Sequence, residues 1–264
     1  MILAPITVAI NGHPPTLTAA KAVADPWKGK VAFAFREQWV GGYWEAPCAL
    51  SLVFRIAPAW FKQTVVTNLL KATIDGLANV VFKPAGGGQP GPYAREDWWI
   101  TQLKATKVLS EGTEGVSITL DPVASGNGLP APASIDVTIP GSPPLLPGDA
   151  RGAAKVAAWH LQFKEGIRVQ LPQAPTSNLD VRFDFIVEPN RFSTSDLDNF
   201  CVPAAQSVGI ALGNNPARSD RIHRVTATKT LASVDVPAGT RVRVGALLGT
   251  GPMIRNPQLH NPNC

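Results

Sequence analysis

The sequence predicts an α/β protein made of two copies of one unit in tandem, and three observations support this. A strand pattern recurs at a fixed distance, the segments between the strands have the apolar spacing of helices, and a stretch rich in proline and glycine separates the copies. With 264 residues, of which 45% are hydrophobic and 16% charged, the chain can bury one large or two ordinary cores. We expect one copy at residues 1–121, a linker at 122–134, a second copy at 135–245 and a tail at 246–264.

The first repeated element is an alternating strand that leads into a Gly-x-Pro-Pro turn. Residues 6–15, ITVAINGHPP, align with residues 135–144, IDVTIPGSPP, so the second stretch begins 129 positions after the first (135 against 6). At the same shift, the alternating apolar residues of 50–56 fall on those of 179–185. A second strand is therefore repeated, with the same face apolar in both copies.

Each copy also contains two stretches with helical spacing of apolar residues. The first of these lies between the two repeated strands, at 30–37 in one copy and 155–165 in the other. The remaining repeated segments are a second helix at 68–77 and 199–208, and the pattern Ile-x-x-hydrophobic-x-x-x-Lys at 100–107 and 222–229. Because a valine-rich strand follows this pattern, each copy is predicted to run strand, helix, strand, helix, strand, strand.

Charge and cysteine content restrict the class of protein. The net charge of +5 and a sequence pI of about 9.3 fit a polyanionic partner. Cys48, Cys201 and Cys264 are odd in number and far apart, which indicates neither a disulfide framework nor a C-x-x-C metal site. Since no run of about 18 apolar residues occurs and the first residues lack the pattern of a signal peptide, we expect no membrane association and a cytoplasmic location.

A group of aspartates in the second copy has the composition of a metal site. Asp196 and Asp198 are two positions apart in the sequence D-L-D-N, so on an extended segment their side chains point the same way. Asp220 would come from the next loop as a third ligand. Carboxylates that hold Mg²⁺ or Mn²⁺ allow the ion to activate water and to neutralise charge during phosphodiester hydrolysis. The alternative interpretation of Asp196 and Asn199 is a helix N-cap.

These motifs resemble those of the RusA-type Holliday junction resolvase family. In that family a strand leads into D-L-D-N and a helix, acidic residues precede Ile-x-x-hydrophobic-x-x-x-Lys, and the opening strand runs into Pro-Pro. The resemblance covers both copies, about nine tenths of the chain. It implies a metal-dependent, structure-selective endonuclease that acts on branched DNA such as Holliday junctions, with Asp196, Asp198 and Asp220 as catalytic and metal-ligating residues.

The resemblance also implies an assembly, because the family acts as a two-fold dimer. We therefore expect the two copies, each a small mixed sheet with two helices, to pack as a pseudo-two-fold pair within one chain. The chain would act as a monomer or as a dimer of chains on DNA.

The two copies depart from the family pattern in complementary ways. In the second copy Val202 replaces the lysine expected three residues after the asparagine, and Asp220 lies one place nearer to the isoleucine than expected. The first copy keeps Lys71 and the acidic pair Glu96-Asp97 but lacks the two acids of D-L-D-N. We therefore expect a single active site, in the second copy. The alternative is a catalytically inactive protein of the same fold that binds branched DNA or serves as an interaction module.

Basic residues near these motifs are candidates for DNA contacts, since phosphate contacts supply most of the affinity of a protein for DNA. We expect a groove beside the acids to be lined by Lys71, Lys104, Lys107, Arg218, Arg221, Arg224 and Lys229. For Lys71, an ordinary lysine on a helix surface is the alternative. The pair Trp98-Trp99 either stacks on bases or packs in a core or interface.

Overall fold

The computed structural model describes residues 5–85, 95–123, 133–144, 150–170, 178–213 and 221–247, with the main chain alone at 150–152. These residues form one mixed sheet of eight strands and six α-helices, which confirms the α/β class. The strands are β1 Ile6–Asn11, β2 Cys48–Ile56, β3 Ile100–Leu109, β4 Gly115–Pro122, β5 Ile135–Pro140, β6 Leu179–Val187, β7 Ile222–Leu231 and β8 Gly239–Ala246. The helices are α1 Lys21–Gln38, α2 Pro58–Phe61, α3 Leu70–Val81, α4 Ala150–Arg168, α5 Pro189–Phe192 and α6 Leu197–Ala211.

Both long helices that follow the opening strands extend beyond the predicted 30–37 and 155–165. In α1, Trp27 adds one turn to the buried stripe of Val31 and Phe35, at intervals of four residues. Pro26 lies inside the helix without ending it. The hydrogen bond that a proline removes would reach the residue four positions earlier, which here belongs to the first turn, so the loss falls near the helix end.

The strand order of the sheet is the same from both edges. It runs β1-β4-β2-β3-β7-β6-β8-β5, so each edge is the first strand of one half of the chain and the centre is the pair β3–β7. We call β1 to β4 with their helices the first half, and β5 to β8 with theirs the second half. In each half the second and third strands are parallel, whereas the central pair is antiparallel.

The register of the central pair has the same symmetry. Lys104 lies opposite Thr226 at its middle, and Gln102 pairs with Thr228. When the two Ile-x-x-hydrophobic-x-x-x-Lys patterns are superimposed, the equivalent of that second pair is Arg224 with Thr106, which is also observed. The two expected small sheets thus join into one, because β3 and β7 pair and so satisfy main-chain groups that separate sheets would leave at exposed edges.

One face of the sheet is buried and the two halves share its core. The inward side chains alternate along each strand, as in Leu52 and Phe54 of β2 and Phe183 and Phe185 of β6, all at most 1% exposed. A single apolar cluster includes residues of both halves. The intervening side chains of the strands, such as Lys104, are half-buried or exposed. This places the helices on one face of the sheet and polar side chains on the other.

The proposed copy boundaries at 121 and 135 lie on either side of residues 124–132, which are outside the described residues, as are 248–264 of the expected tail. The boundaries stay predictions. Within the described part of the chain, no helix is both long enough and apolar enough to cross a membrane.

Candidate active site

The D-L-D-N segment opens α6, and its first aspartate occupies the N-cap position without acting as a cap. Asp196 has extended backbone angles of φ −78° and ψ 147°, and its side chain makes no capping hydrogen bond to the helix. Its Oδ2 instead accepts a hydrogen bond of 3.1 Å from Asn199 Nδ2. The N-cap interpretation is therefore correct for the position but does not account for the carboxylate. Asp198, in the first turn, is only 3% exposed.

A third carboxylate comes from the first half of the chain. Asp97 lies in a short 3₁₀ turn directly before β3 and is 6% exposed. Burial raises its pKa well above the usual value, the nearby charges of Asp196 and Asp198 raise it further, and Lys71 opposes them. The side chain of Asp196, as a neighbouring polar group, raises the pKa of Asp97 further. Asp97 of the first half therefore lies beside the acids of the second, and the expected active site in the second copy alone stays a prediction.

The antiparallel pairing of β3 with β7 explains why Asp97 reaches the second half. It brings the start of β3, which follows Asp97, beside the end of β7, and Lys229 near that end contacts the loop that precedes Asp196. A signal for this was present in the sequence, since Asp97 lies three positions before Ile100 as part of an acidic pair. The position of Asp97 beside Asp196 and Asp198 was missed because the strand that pairs with β3 comes from the other half of the chain.

Lys71 places a positively charged side chain beside Asp198, whereas Val202, at the corresponding position of the second half, has none. It lies in the first turn of α3, with Nζ at 3.0 Å from Asp75 Oδ1 and 3.9 Å from Asp198 Oδ2. Burial lowers the pKa of Lys71, but Asp198 and Asp75 more than offset this and raise the pKa above its usual value. Asp75 is also held at 2.8 Å by Lys28 Nζ. Lys71 is thus not an ordinary surface lysine, although its side chain remains 34% exposed.

Asp198 is another buried acid with a raised pKa. Burial raises its pKa to about 6, with Lys71 opposing the shift and Asp196 and Asp75 adding to it. Its Oδ1 is buried without a hydrogen-bond partner. An unpaired buried carboxylate oxygen costs about 1–3 kcal/mol or more. This oxygen, beside further carboxylate oxygens, matches the hard oxygen donors that Mg²⁺ and Mn²⁺ prefer.

The acids are close enough to interact but do not form a closed cage. Across the described ranges, no group of three or more His, Cys, Asp or Glu side chains is spaced to hold a metal ion. Asp97 instead lies close enough to Asp196 and Asp198 for their charges to raise its pKa. Either a shared proton or a divalent cation can relieve the repulsion between two neighbouring carboxylates, so this set of donors fits a cation chemically. To bind an ion, the side chains would have to move closer together.

Two of the predicted residues cannot be placed. Asp220, expected as the third metal ligand, and Arg218, expected to contact DNA, lie outside the described residues. Thr106 near the end of β3 pairs with Arg224 near the start of β7. The strand β7 therefore begins at the end of the central pair opposite to Asp97.

The described members of the predicted DNA-contacting set do not line one groove. Lys107 and Lys229 are each 2% exposed and donate hydrogen bonds to main-chain carbonyl groups, so we correct the prediction for both. Lys104 and Arg224 lie on the polar face of the sheet, and Arg224 Nε is 3.3 Å from Asp180 Oδ2. Arg221 is half-buried just before β7. Among the described residues of this set, Lys71 lies beside Asp198, and the buried Lys229 lies near the acids as well.

The two tryptophans beside Asp97 stack on each other. The rings of Trp98 and Trp99 lie 4.0 Å apart at an interplanar angle of 27°, and both side chains are half-buried. Trp99 packs against the hydrophobic core. This supports packing as the role of Trp99.

The related positions of the first half contain no acids. Aligning Asn68 with Asn199 places Val65 opposite Asp196 and Thr67 opposite Asp198, and both are at most 5% exposed. We call the region of Val65, Thr67 and Val202 the counterpart region. Of these three described side chains, two are apolar and the third carries a buried hydroxyl group.

Neither a protein-family model nor a curated protein matches this chain. The likeness to RusA-type resolvases therefore consists of the motifs in the sequence.

Proposed function

We propose that this chain is a metal-dependent endonuclease for branched DNA, related to the RusA-type resolvases, with one active site built jointly by its two halves. The observation that carries the proposal is the meeting of Asp97 and Lys71, from the first half, with Asp196 and Asp198, from the second. Each copy lacks part of the family pattern, yet Asp97 and Lys71 of the first half lie beside Asp196 and Asp198 of the second.

The arrangement of the halves supports the same proposal. The strand order is the same from both edges, and the register of β3 with β7 is unchanged when the halves are exchanged. This is the arrangement expected if a two-fold dimer became one chain by tandem duplication. We therefore propose that residues 1–121 and 135–245 are RusA-like repeats packed as a pseudo-two-fold pair.

The chemistry assigned to the site follows from its charges. Asp97, Asp196 and Asp198 would hold Mg²⁺ or Mn²⁺, which when bound supplies an activated water and neutralises phosphate charge. Lys71 would bind a phosphate oxygen of the DNA, since its ammonium group is partly exposed and stays protonated. Asp75 orients that ammonium group towards Asp198. The same charge pattern favours a phosphodiester substrate, because the basic group and the acids are adjacent.

One observation favours the alternative, a catalytically inactive protein that binds branched DNA. The described acids are not spaced to hold an ion as they stand, and Asp198 is 3% exposed. In that case Lys71 and the net positive charge would serve binding alone.

A cleavage assay separates the two functions. A four-way junction, a splayed duplex and a linear duplex of the same sequence are incubated with the protein in Mg²⁺, in Mn²⁺ and in EDTA. We expect cleavage of the branched substrates with either ion, none in EDTA and little of the linear duplex. Asp196→Asn should bind the junction without cutting it, whereas Asp235→Asn, at an exposed loop, should cut normally. Junction binding without cleavage under every condition would establish the inactive alternative.

A further inference from the structure

A buried lysine connects the two halves at the acidic site, the name we give to Asp97, Asp196 and Asp198 with Lys71. Lys229, near the end of β7, is 2% exposed. Its Nζ donates to the carbonyl oxygens of Phe192 at 3.0 Å and Ser195 at 2.9 Å, both in the second half. It also donates to the carbonyl oxygen of Trp98, in the first half, at 2.9 Å.

These contacts satisfy the whole ammonium group. A lysine ammonium has three N–H donors and no acceptor, and here each donor has a carbonyl partner. A buried charge is expensive unless it is fully hydrogen-bonded, so the three carbonyl groups and the lysine depend on each other. Burial lowers the pKa of Lys229 to about 8, against the opposing effect of Asp196 and Asp97. The acids are therefore near enough to act on its charge.

Two of the three bonded carbonyl groups belong to the immediate neighbours of acids. Trp98 follows Asp97 in the chain, and Ser195 precedes Asp196. We propose that Lys229 is a positioning residue that holds the Asp97 and Asp196 main-chain segments, one from each half, at a single site. It touches neither DNA nor the reacting atoms in this role. The purpose of the positioning rests on the proposed function, whereas the connection itself does not.

Lys107 is a matched control within the same chain. It is also 2% exposed, and its Nζ donates to the carbonyl oxygens of Phe61 at 3.0 Å and Thr64 at 2.7 Å. Its Nζ lies 4.8 Å from the centre of the Phe61 ring, and the corresponding distance from Lys229 to the Phe192 ring is 4.9 Å. The loop that Lys107 holds leads into Val65 instead of an aspartate. The two lysines thus share a structural role but differ in what they position.

Hydrogen exchange followed by mass spectrometry tests the connection without any need for activity. Lys229→Met removes the three donors at nearly constant volume. We expect amide exchange to become about tenfold faster or more in both 96–100 and 192–199, with Lys107→Met accelerating 61–67 and leaving those two segments unchanged. Lys229→Gln, which keeps two donors, should give a smaller change and serves if the methionine variant does not fold. Unchanged exchange in 96–100 and 192–199 in the variant that folds would overturn the inference.

Cleavage kinetics and Mn²⁺ binding then test the purpose of the connection. In Lys229→Met we expect kcat on a four-way junction to fall about tenfold or more at nearly constant KM, and Mn²⁺ affinity by calorimetry to fall, while Lys107→Met retains both. Equal losses in the two variants would reduce Lys229 to a general structural role and overturn the proposal. If the unaltered protein neither binds Mn²⁺ nor cuts, but exchange responds as expected, the nuclease proposal fails and the connection between the segments stands.

Discussion

The acidic site and the counterpart region lie at related positions on the helical side of one sheet, but their side chains differ in charge and polarity. Asp196 and Asp198 with Lys71 stand at one, and at the other their equivalents are Val65, Thr67 and Val202. Among the described residues, the acids and Lys71 therefore come from both halves of the chain but lie at one of the two positions. Neither half supplies this set of side chains by itself.

The buried lysines show which part of the comparison is structural. Lys107 and Lys229 are retained at both positions and have nearly the same contacts, because buried main-chain carbonyl groups need a donor wherever the fold repeats. Among the described residues, carboxylates stand at one of the two positions, where their mutual repulsion is a cost that the proposed metal site would offset. The buried lysines and the acids are therefore subject to different physical constraints.

Removing an acid of the first half is the most direct test of the difference between the acidic site and the counterpart region. Asp97→Asn should lower junction cleavage on the order of a thousandfold, as should Asp196→Asn, because both carboxylates belong to one proposed site. Thr67→Val, in the counterpart region, should leave cleavage unchanged. The check is the single-turnover cleavage rate at saturating protein. Near-normal cleavage by Asp97→Asn would show that the second half works alone.

A single site should also limit the number of cuts in each junction. Among the described residues, acids stand at one of the two related positions, so we expect a nicked four-way junction as the first product, with paired cuts only when two chains act together. At limiting protein, nicked product should exceed linear duplex product by about tenfold, in a cruciform plasmid assay. Simultaneous paired cuts at limiting protein would contradict the asymmetry between the two positions.

Lys71 gives a second test of this difference, because it belongs to the first half and its ammonium group lies beside Asp198 of the second. Lys71→Met should reduce kcat roughly tenfold to a hundredfold by removing the charge beside Asp198. Lys62→Met, at an exposed position in the same half, is the control and should change kcat little. The two variants are compared by their kcat and KM on the same junction. An effect of Lys71→Met on KM alone would indicate a role in binding only.

The smallest expected effect is on stability and depends on pH. The pKa of Asp198 is raised to about 6 in the folded chain from 3.8, so its neutral form favours folding below about pH 4 and this contribution is lost as pH rises through about 6. Asp198→Asn should therefore raise the free energy of unfolding by about 1–3 kcal/mol at pH 7.5 and by much less at pH 4. Urea denaturation at both pH values measures the difference. A variant that is less stable than the unaltered protein at pH 7.5 would show that the charged form is favourably paired.

Periodicity alone was enough to predict most of the fold. The alternation of Leu52 and Phe54, and of Phe183 and Phe185, fixed the buried face of two strands, because side chains alternate across a strand whatever its partners are. The joining of two four-stranded halves could not be predicted in this way, since the pairing of β3 with β7 depends on free edges that meet only in three dimensions.

The candidate site was predicted less completely for the same reason. Asp196 and Asp198 are adjacent in sequence, so their motif was visible. Asp97 and Lys71 join them across the central strand pair, and local spacing carries no information about such contacts. The burial of Lys229 was also missed, because a lysine in a strand is usually exposed and only the nearby loop carbonyl groups make a buried ammonium group tolerable.

The continuity of the sheet across β3 and β7 has a consequence for how the chain can change through evolution. In a symmetric pair of identical chains, one codon specifies both related positions, so replacing an acid removes it twice. Here Thr67 and Asp198 are encoded separately, although they occupy related places on the helical side of one sheet. Each can therefore mutate on its own, and under the proposed function the buried surface around Val65 and Val202 is free to adapt to folding while selection for chemistry acts on Asp198.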